Sequence, residues 1–180
     1  VLYRRACIPG GSYFFTVVTH QRRKLFTGDT EVDCLRHAFR TVKHKHPFSI
    51  DAIVILPDHL HCIWTLPADD ADFARRWRLI KSAFTKQCPS EWRTVKPDVA
   101  RTRKGQQAIW QHRYWEHMIR DEADFRAHVD YIHYNPVHHR YVSKPADWIR
   151  SSFGLYVQRG MLNSDWGASG IELPDSVGRE

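Results

Sequence analysis

Ile53 to Trp64 reads IVILPDHLHCIW: an apolar run, a Pro-Asp break, and a second apolar run with His59 and His61 set into it. This is the pattern of two strands joined by a tight turn. Residues two apart in a strand share a face. A strand over His59 to Leu66 therefore projects His59 and His61 side by side and sends Leu60, Cys62 and Trp64 the other way, into a core. Such a pair is a two-imidazole metal claw. With twelve His in 180 residues, about one such spacing arises by chance, and the strand context is what lends weight to this copy. His44 and His46 repeat the spacing at the end of a helical pattern stopped by Pro47, where residues two apart diverge, and that pair is set aside.

Working outward toward the N-terminus, Phe48 to Leu56 completes the preceding strand, and Val32, Leu35, Phe39 and Val42 recur at helical spacing over Thr30 to His46. Asp29 or Thr30 can cap that helix and Pro47 ends it. Ser12 to Thr19, SYFFTVVT, is apolar at nearly every position, as suits a central strand covered on both faces. A basic loop, His20 to Lys24, follows it, and a basic arm, Tyr3 to Gly11, precedes it.

Toward the C-terminus, Phe73, Trp77, Ile80 and Phe84 stripe a helix over Asp72 to Lys86. Its other residues include Arg75, Arg76, Arg78, Lys81 and Lys86, which offer either a phosphate-contacting surface or a solvated face. Pro89 to Gln107 lacks periodicity and reads as a long basic insertion. Ile109 to Ile119 alternates aromatic and polar residues and predicts a final strand, bent near Gln111 to Arg113. Asp121, Glu122 and Asp124 place acids at a helix start; Phe125, Val129 and Ile132 form its buried stripe, and Pro136 closes it. His128, Tyr131 and Asn135 share a different face of that helix. The sum is an α+β fold: a ferredoxin-like β-α-β-β-α-β antiparallel sheet with helices packed on one face and an additional C-terminal helix carrying Tyr131. The first and third strands are its inner pair, which puts the histidines at the sheet centre.

Length suits one domain. No apolar run approaches a membrane span, and no signal-peptide core stands at the N-terminus. The chain begins at Val1, so an initiator methionine or short leader is expected ahead of it. Cys7, Cys34, Cys62 and Cys88 form no C-x-x-C pair and read as reduced, mostly buried thiols of a cytoplasmic protein. A formal charge of +7 favours a polyanionic partner, with nucleic acid leading.

A two-His site still needs a third ligand and a nucleophile, and the helix from Glu122 to Asn135 can present both, since Tyr131 and Asn135 lie one turn apart. Here PDHLHCIW, with VDYIHYNPV downstream, resembles the HUH single-tyrosine transposases, specifically the REP-associated tyrosine transposases. The likeness runs in order through IPGGSYFFTV, LPDHLHCIWTLP, RRWRLIK, YWEHMIRD, HVDYIHYNPV and DWIRSSF. It makes residues 1–153 a catalytic domain, with the basic insertion at about 89–107, and leaves 154–180 as a tail.

The resemblance implies a divalent cation, Mg²⁺ or Mn²⁺, on His59, His61 and Asn135, polarising a phosphate oxygen. It implies attack by Tyr131 on single-stranded DNA, leaving a 5′-phosphotyrosine link, and recognition of palindromic repeat hairpins with a few unpaired bases. Candidate DNA contacts are Arg4, Arg5, Arg75, Arg76 and Arg78, with Tyr114 to stack on bases. His128 is the candidate helper for the phenol; Glu116 and His117 either orient a ligand or form a polar sheet edge. A monomer is favoured over a homodimer. Two readings compete. One is a non-catalytic binder of single-stranded nucleic acid on the same sheet; the other is a metal-dependent hydrolase that uses water and keeps Tyr131 only for positioning.

Overall fold

The computed structural model describes residues 7–93, 107–174 and 177–178. Four antiparallel strands, β1 (Ser12–Val18), β2 (Ser49–Ile55), β3 (His59–Thr65) and β4 (Trp115–Met118), lie in the order β2-β3-β1-β4. β1 and β3 are therefore the inner pair, with Thr16 opposite His61 and Val18 opposite His59. Every residue of β1 from Tyr13 to Val18 is buried, because both sheet faces are covered.

Helices α1 (Asp29–Lys45) and α2 (Phe73–Gln87) cover one face. There Trp64 stacks on Trp77 with ring centroids 4.3 Å apart and on Phe48 at the same distance, and Phe15, Phe39 and Phe73 close around them. Burial of each such ring stabilises by roughly 2–3 kcal/mol. Helix α3 (Glu122–His138) crosses the other face, packing Val129, Tyr131 and Ile132 against Phe14, Val54 and Ile63. Residues 148–152 then run along the outer edge of β2, with Ile55 N–H donating to Arg150 O at 2.9 Å and Ser152 N–H to Ile53 O at 2.8 Å. That segment covers an edge that would otherwise be open. A short helix α4 (Phe153–Gln158) follows, anchored by buried Phe153.

Three boundaries depart from the sequence reading. The last strand spans only Trp115–Met118. Trp110 makes an isolated bridge to Thr19, and the chain then leaves the ladder, its Gln111 carbonyl accepting from Lys81 Nζ at 3.0 Å. α1 is capped at Gly28, without a side-chain hydrogen bond, so neither Asp29 nor Thr30 caps it. Pro136 does not end α3 but lies inside its last turn, where the missing N–H forfeits a single bond; the helix closes two residues later, with His139 N–H donating to Asn135 O at 3.0 Å. All four cysteines are free; Cys62 and Cys88 are buried, whereas Cys7 is exposed. The core of the 89–107 insertion, residues 94–106, and the arm residues Arg4 and Arg5 lie outside the described residues.

Candidate active site

Strand alternation delivers what the sequence requires: Leu60, Cys62 and Trp64 enter the α1–α2 core, while His59, His61 and Ile63 face α3. The two imidazoles are 4.9 Å apart between centroids and almost wholly buried. Each is oriented through Nδ1. His59 Nδ1 faces Asp58 Oδ1 at 2.5 Å, and His61 Nδ1 pairs with Thr16 Oγ1 at 2.9 Å. With both Nδ1 atoms so engaged, Nε2 is the ring nitrogen that could hold a metal. Burial works to raise the Asp58 carboxyl, but the hydrogen bond and charge of His59 and the nearby Arg22 outweigh it and hold it below the usual carboxylate range. Arg22, 3.4 Å from Asp58, stands in the left-handed region with φ 50, as does Gln21 with φ 55. That basic loop is pinned to the turn, with Thr19 N–H and Thr19 Oγ1 both donating to Asp58 O at 2.9 Å.

On α3, Tyr131, Asn135 and His139 follow one another at four-residue spacing and so share a helical face. Tyr131 meets His61 edge-on at 5.1 Å, and His139 meets His59 at 5.3 Å. Asn135, fully buried, lies between them on that helical face. Tyr131 is only 5% exposed. Part of its cover comes from its own chain: Val177 joins the same apolar cluster, and a Cβ on Gly178, whose φ is 72, would collide with the Tyr131 ring. A cavity of about 440 Å³ opens beside the tyrosine, between Tyr134, His138 and the tail residues Leu173 and Pro174.

The donor set of His59, His61 and Asn135 fits a divalent cation: two imidazole nitrogens and a carboxamide oxygen on neighbouring elements, the rings pre-oriented. A second group, His117, Asp124 and His128, brings its polar atoms within 4.8 Å of one another. Its carboxylate is already paired. Asp124 Oδ2 accepts from His117 Nε2 at 2.8 Å, Arg120 N–H at 2.9 Å and Arg120 Nε at 3.1 Å, so the guanidinium supplies the positive charge. Burial raises the Asp124 carboxyl, yet these bonds hold it far below its ordinary value.

The helper candidates separate accordingly. His128 directs Nδ1 at Asp124 O, 2.8 Å away, and its ring packs on Phe14 and His117; burial keeps it below the ordinary histidine value. His117 is on the site face but bound to Asp124. Glu116 is a correction: it lies opposite Phe15, on the α1–α2 side, away from the histidines. So is Tyr114, whose ring packs on Phe15 and Trp77 in that same core. Arg76 is a third. It is 2% exposed, and its guanidinium donates to Asp70 at 2.7 Å and to the carbonyls of His46 and Pro47 at 3.3 and 2.8 Å. It staples α2 to the end of α1. Arg75 and Arg78 are exposed, on a helix packed to the face opposite the histidines. Asp58, though it adjoins His59, and His139, which follows the helix-ending signal of Pro136, are site-face residues that the sequence pattern does not single out.

Residues 7–135 match the family described as Transposase IS200 like. The chain belongs to this transposase family. Within it, the chain is 47% identical over 165 residues to the REP-associated tyrosine transposase of Escherichia coli (strain K12), a match covering 91% of this chain and 89% of that one. A relative from Haemophilus influenzae is 41% identical over 167 residues, 93% of each chain. The solved structure of a REP-associated tyrosine transposase bound to a REP hairpin superposes with a TM-score of 0.80 at 43% identity, covering 100% of this chain and 98% of that one. Among the described residues no helix is long and apolar enough to cross a membrane.

Proposed function

We propose that this chain cuts and rejoins single-stranded DNA at repeat hairpins, with Tyr131 as nucleophile and His59, His61 and Asn135 holding Mg²⁺ or Mn²⁺. The observation that carries this reading is the Tyr131 ring set edge-on against His61 at 5.1 Å, on the sheet face where both histidines converge. Kinship to a transposase whose structure holds a REP hairpin supports the choice of substrate. A divalent cation at these residues supplies Lewis acidity toward a non-bridging phosphate oxygen, easing attack by a phenol whose ordinary pKa is about 10.

Tyr131 Oη forms the new bond to phosphorus and gives up its proton; the O3′–P bond breaks and the departing 3′-oxygen gains one. A phosphodiester is exchanged for another, so the linkage retains the energy to reseal when a 3′-hydroxyl attacks the phosphotyrosine. Asp58 and Thr16 keep the imidazoles turned for their task. Asn135 is held at the nucleophile's distance by one turn of helix, about 6 Å of rise.

Denaturing gels of labelled single-stranded hairpin DNA from repeats near the gene, mixed with protein and Mn²⁺ or Mg²⁺, test this. The expected product is a metal-dependent, denaturation-resistant adduct, abolished by EDTA and reduced roughly 10³-fold or more in Tyr131→Phe. Retained cleavage without adduct in Tyr131→Phe would indicate a water-using hydrolase. Tight binding with neither cleavage nor adduct would indicate a non-catalytic binder.

A further inference from the structure

The end of α3 brings a third imidazole to the histidine pair. His139 caps the helix, its N–H donating to Asn135 O at 3.0 Å, and stands four residues beyond Asn135 and eight beyond Tyr131 on the same helical face. Its ring meets that of His59 with centroids 5.3 Å apart and planes 72° from parallel, close to the 4.9 Å and 81° between His59 and His61. The ring is also backed from outside. The chain reverses at Arg140, in the left-handed region with φ 60, and lays Tyr141 beside His139 at 6.0 Å. Tyr141 stacks in turn on Trp148 at 5.5 Å, and the Trp148 indole N–H donates to Ile55 O at 3.1 Å. A histidine that served only the helix end could stand in solvent, as the neighbouring His138 does.

An imidazole bound through one nitrogen places its ring centre roughly 3.2 Å from the ion, so two imidazoles at adjacent positions of a tetrahedral or octahedral ion have centres roughly 4.5–5.3 Å apart. The His59–His61 and His59–His139 spacings both fall in that interval. The end of a helix also favours a cation, because its last carbonyls carry partial negative charge. His59 and His61 are almost wholly buried, whereas His139 is half-buried and so stands on the solvent side of the pair. We propose that His139 is a further protein ligand of the divalent cation assigned to His59, His61 and Asn135. This rests on that assignment and enlarges its donor set to three imidazoles and one carboxamide.

The protein without DNA, titrated with Mn²⁺ alone, tests this through two readouts that need no turnover: affinity from calorimetry, and the number of nitrogens coupled to the ion from pulsed electron paramagnetic resonance. The parent should bind one ion with three coupled imidazoles, a count that depends on no variant's folding. His139→Ala and His139→Leu should weaken binding by about tenfold or more and leave two coupled imidazoles. His138→Ala, at the same helix end, should stay within about twofold of the parent and keep three. Urea unfolding of each variant separates a lost ligand from a lost fold. Two coupled imidazoles in the parent, with binding abolished in His59→Ala and unchanged in His139→Ala, would overturn this inference and leave the function proposed above standing. Weaker binding in His139→Ala with the nitrogen count unchanged would also overturn it, making His139 a positioning residue. A parent whose Mn²⁺ affinity is indifferent to His59→Ala would overturn both.

Discussion

The two faces of the sheet are built from the same strands and obey different rules. On the α1–α2 face, β3 contributes Leu60, Cys62 and Trp64 to a core of stacked rings, and the buried cation there, Arg76, is bonded at all three nitrogens. On the α3 face the same strand contributes His59 and His61, and the buried company is Thr16, Tyr131, His128, His133 and Asn135. Burying that much polarity costs stability unless each group is oriented by a partner. Asp58, Thr16, Asp124 and Ser152 are such partners. One face stabilises the sheet so that the other can hold groups that do not.

If that division is real, damage to the first face should act on stability alone. Trp64→Ala removes a fully buried ring between Phe48 and Trp77 and should cost about 4 kcal/mol, read from urea unfolding. Adduct formation per folded molecule should be unchanged; a drop in that quantity would mean the faces are coupled through β3.

The second face should be the acid-sensitive one. His133, fully buried with Nε2 at 2.9 Å from Ser152 Oγ, is pushed by burial from 6.5 down to about 4. A depressed pKa in the folded state gives stability that is complete above the unfolded value and is lost as pH falls. Folding stability should therefore decline by about 3 kcal/mol between pH 6.5 and 4 through this residue. Comparing urea midpoints of the parent and His133→Gln at pH 7 and pH 4.5 isolates its share, and parallel slopes would remove it from the account. Asp124, held low by Arg120 and His117, adds to the loss only below the ordinary carboxylate range near 3.8.

The smallest effect concerns access. Val177 and Gly178 sit on Tyr131, so ending the chain at residue 170 should speed adduct formation a few-fold in a time course at saturating DNA. Slower formation would instead make the tail part of the site.

The β3 alternation was legible because a period of two leaves no latitude: once His59 and Leu60 begin a strand, their faces are assigned. Arg76 was legible and was overlooked. It stands three residues after Phe73 and four before Ile80, on the buried stripe, whereas Arg75 and Arg78 lie off it. Glu116 and Tyr114 were not, since the face of a short strand after an irregular stretch depends on its register with β1, which only the folded pairing supplies. His139 lay beyond Pro136, a residue that usually ends or kinks a helix but here sits inside the last turn, where one bond is lost.

Tyr131 and Asn135 share a helix that packs on the β3 of its own chain, so every group of the proposed reaction comes from one polypeptide with one phenol. On that chemistry, a molecule holds one severed 5′ end at a time. A mobile segment has two ends. Excising it therefore takes two molecules or two successive visits by one, whereas opening and resealing a single hairpin needs neither.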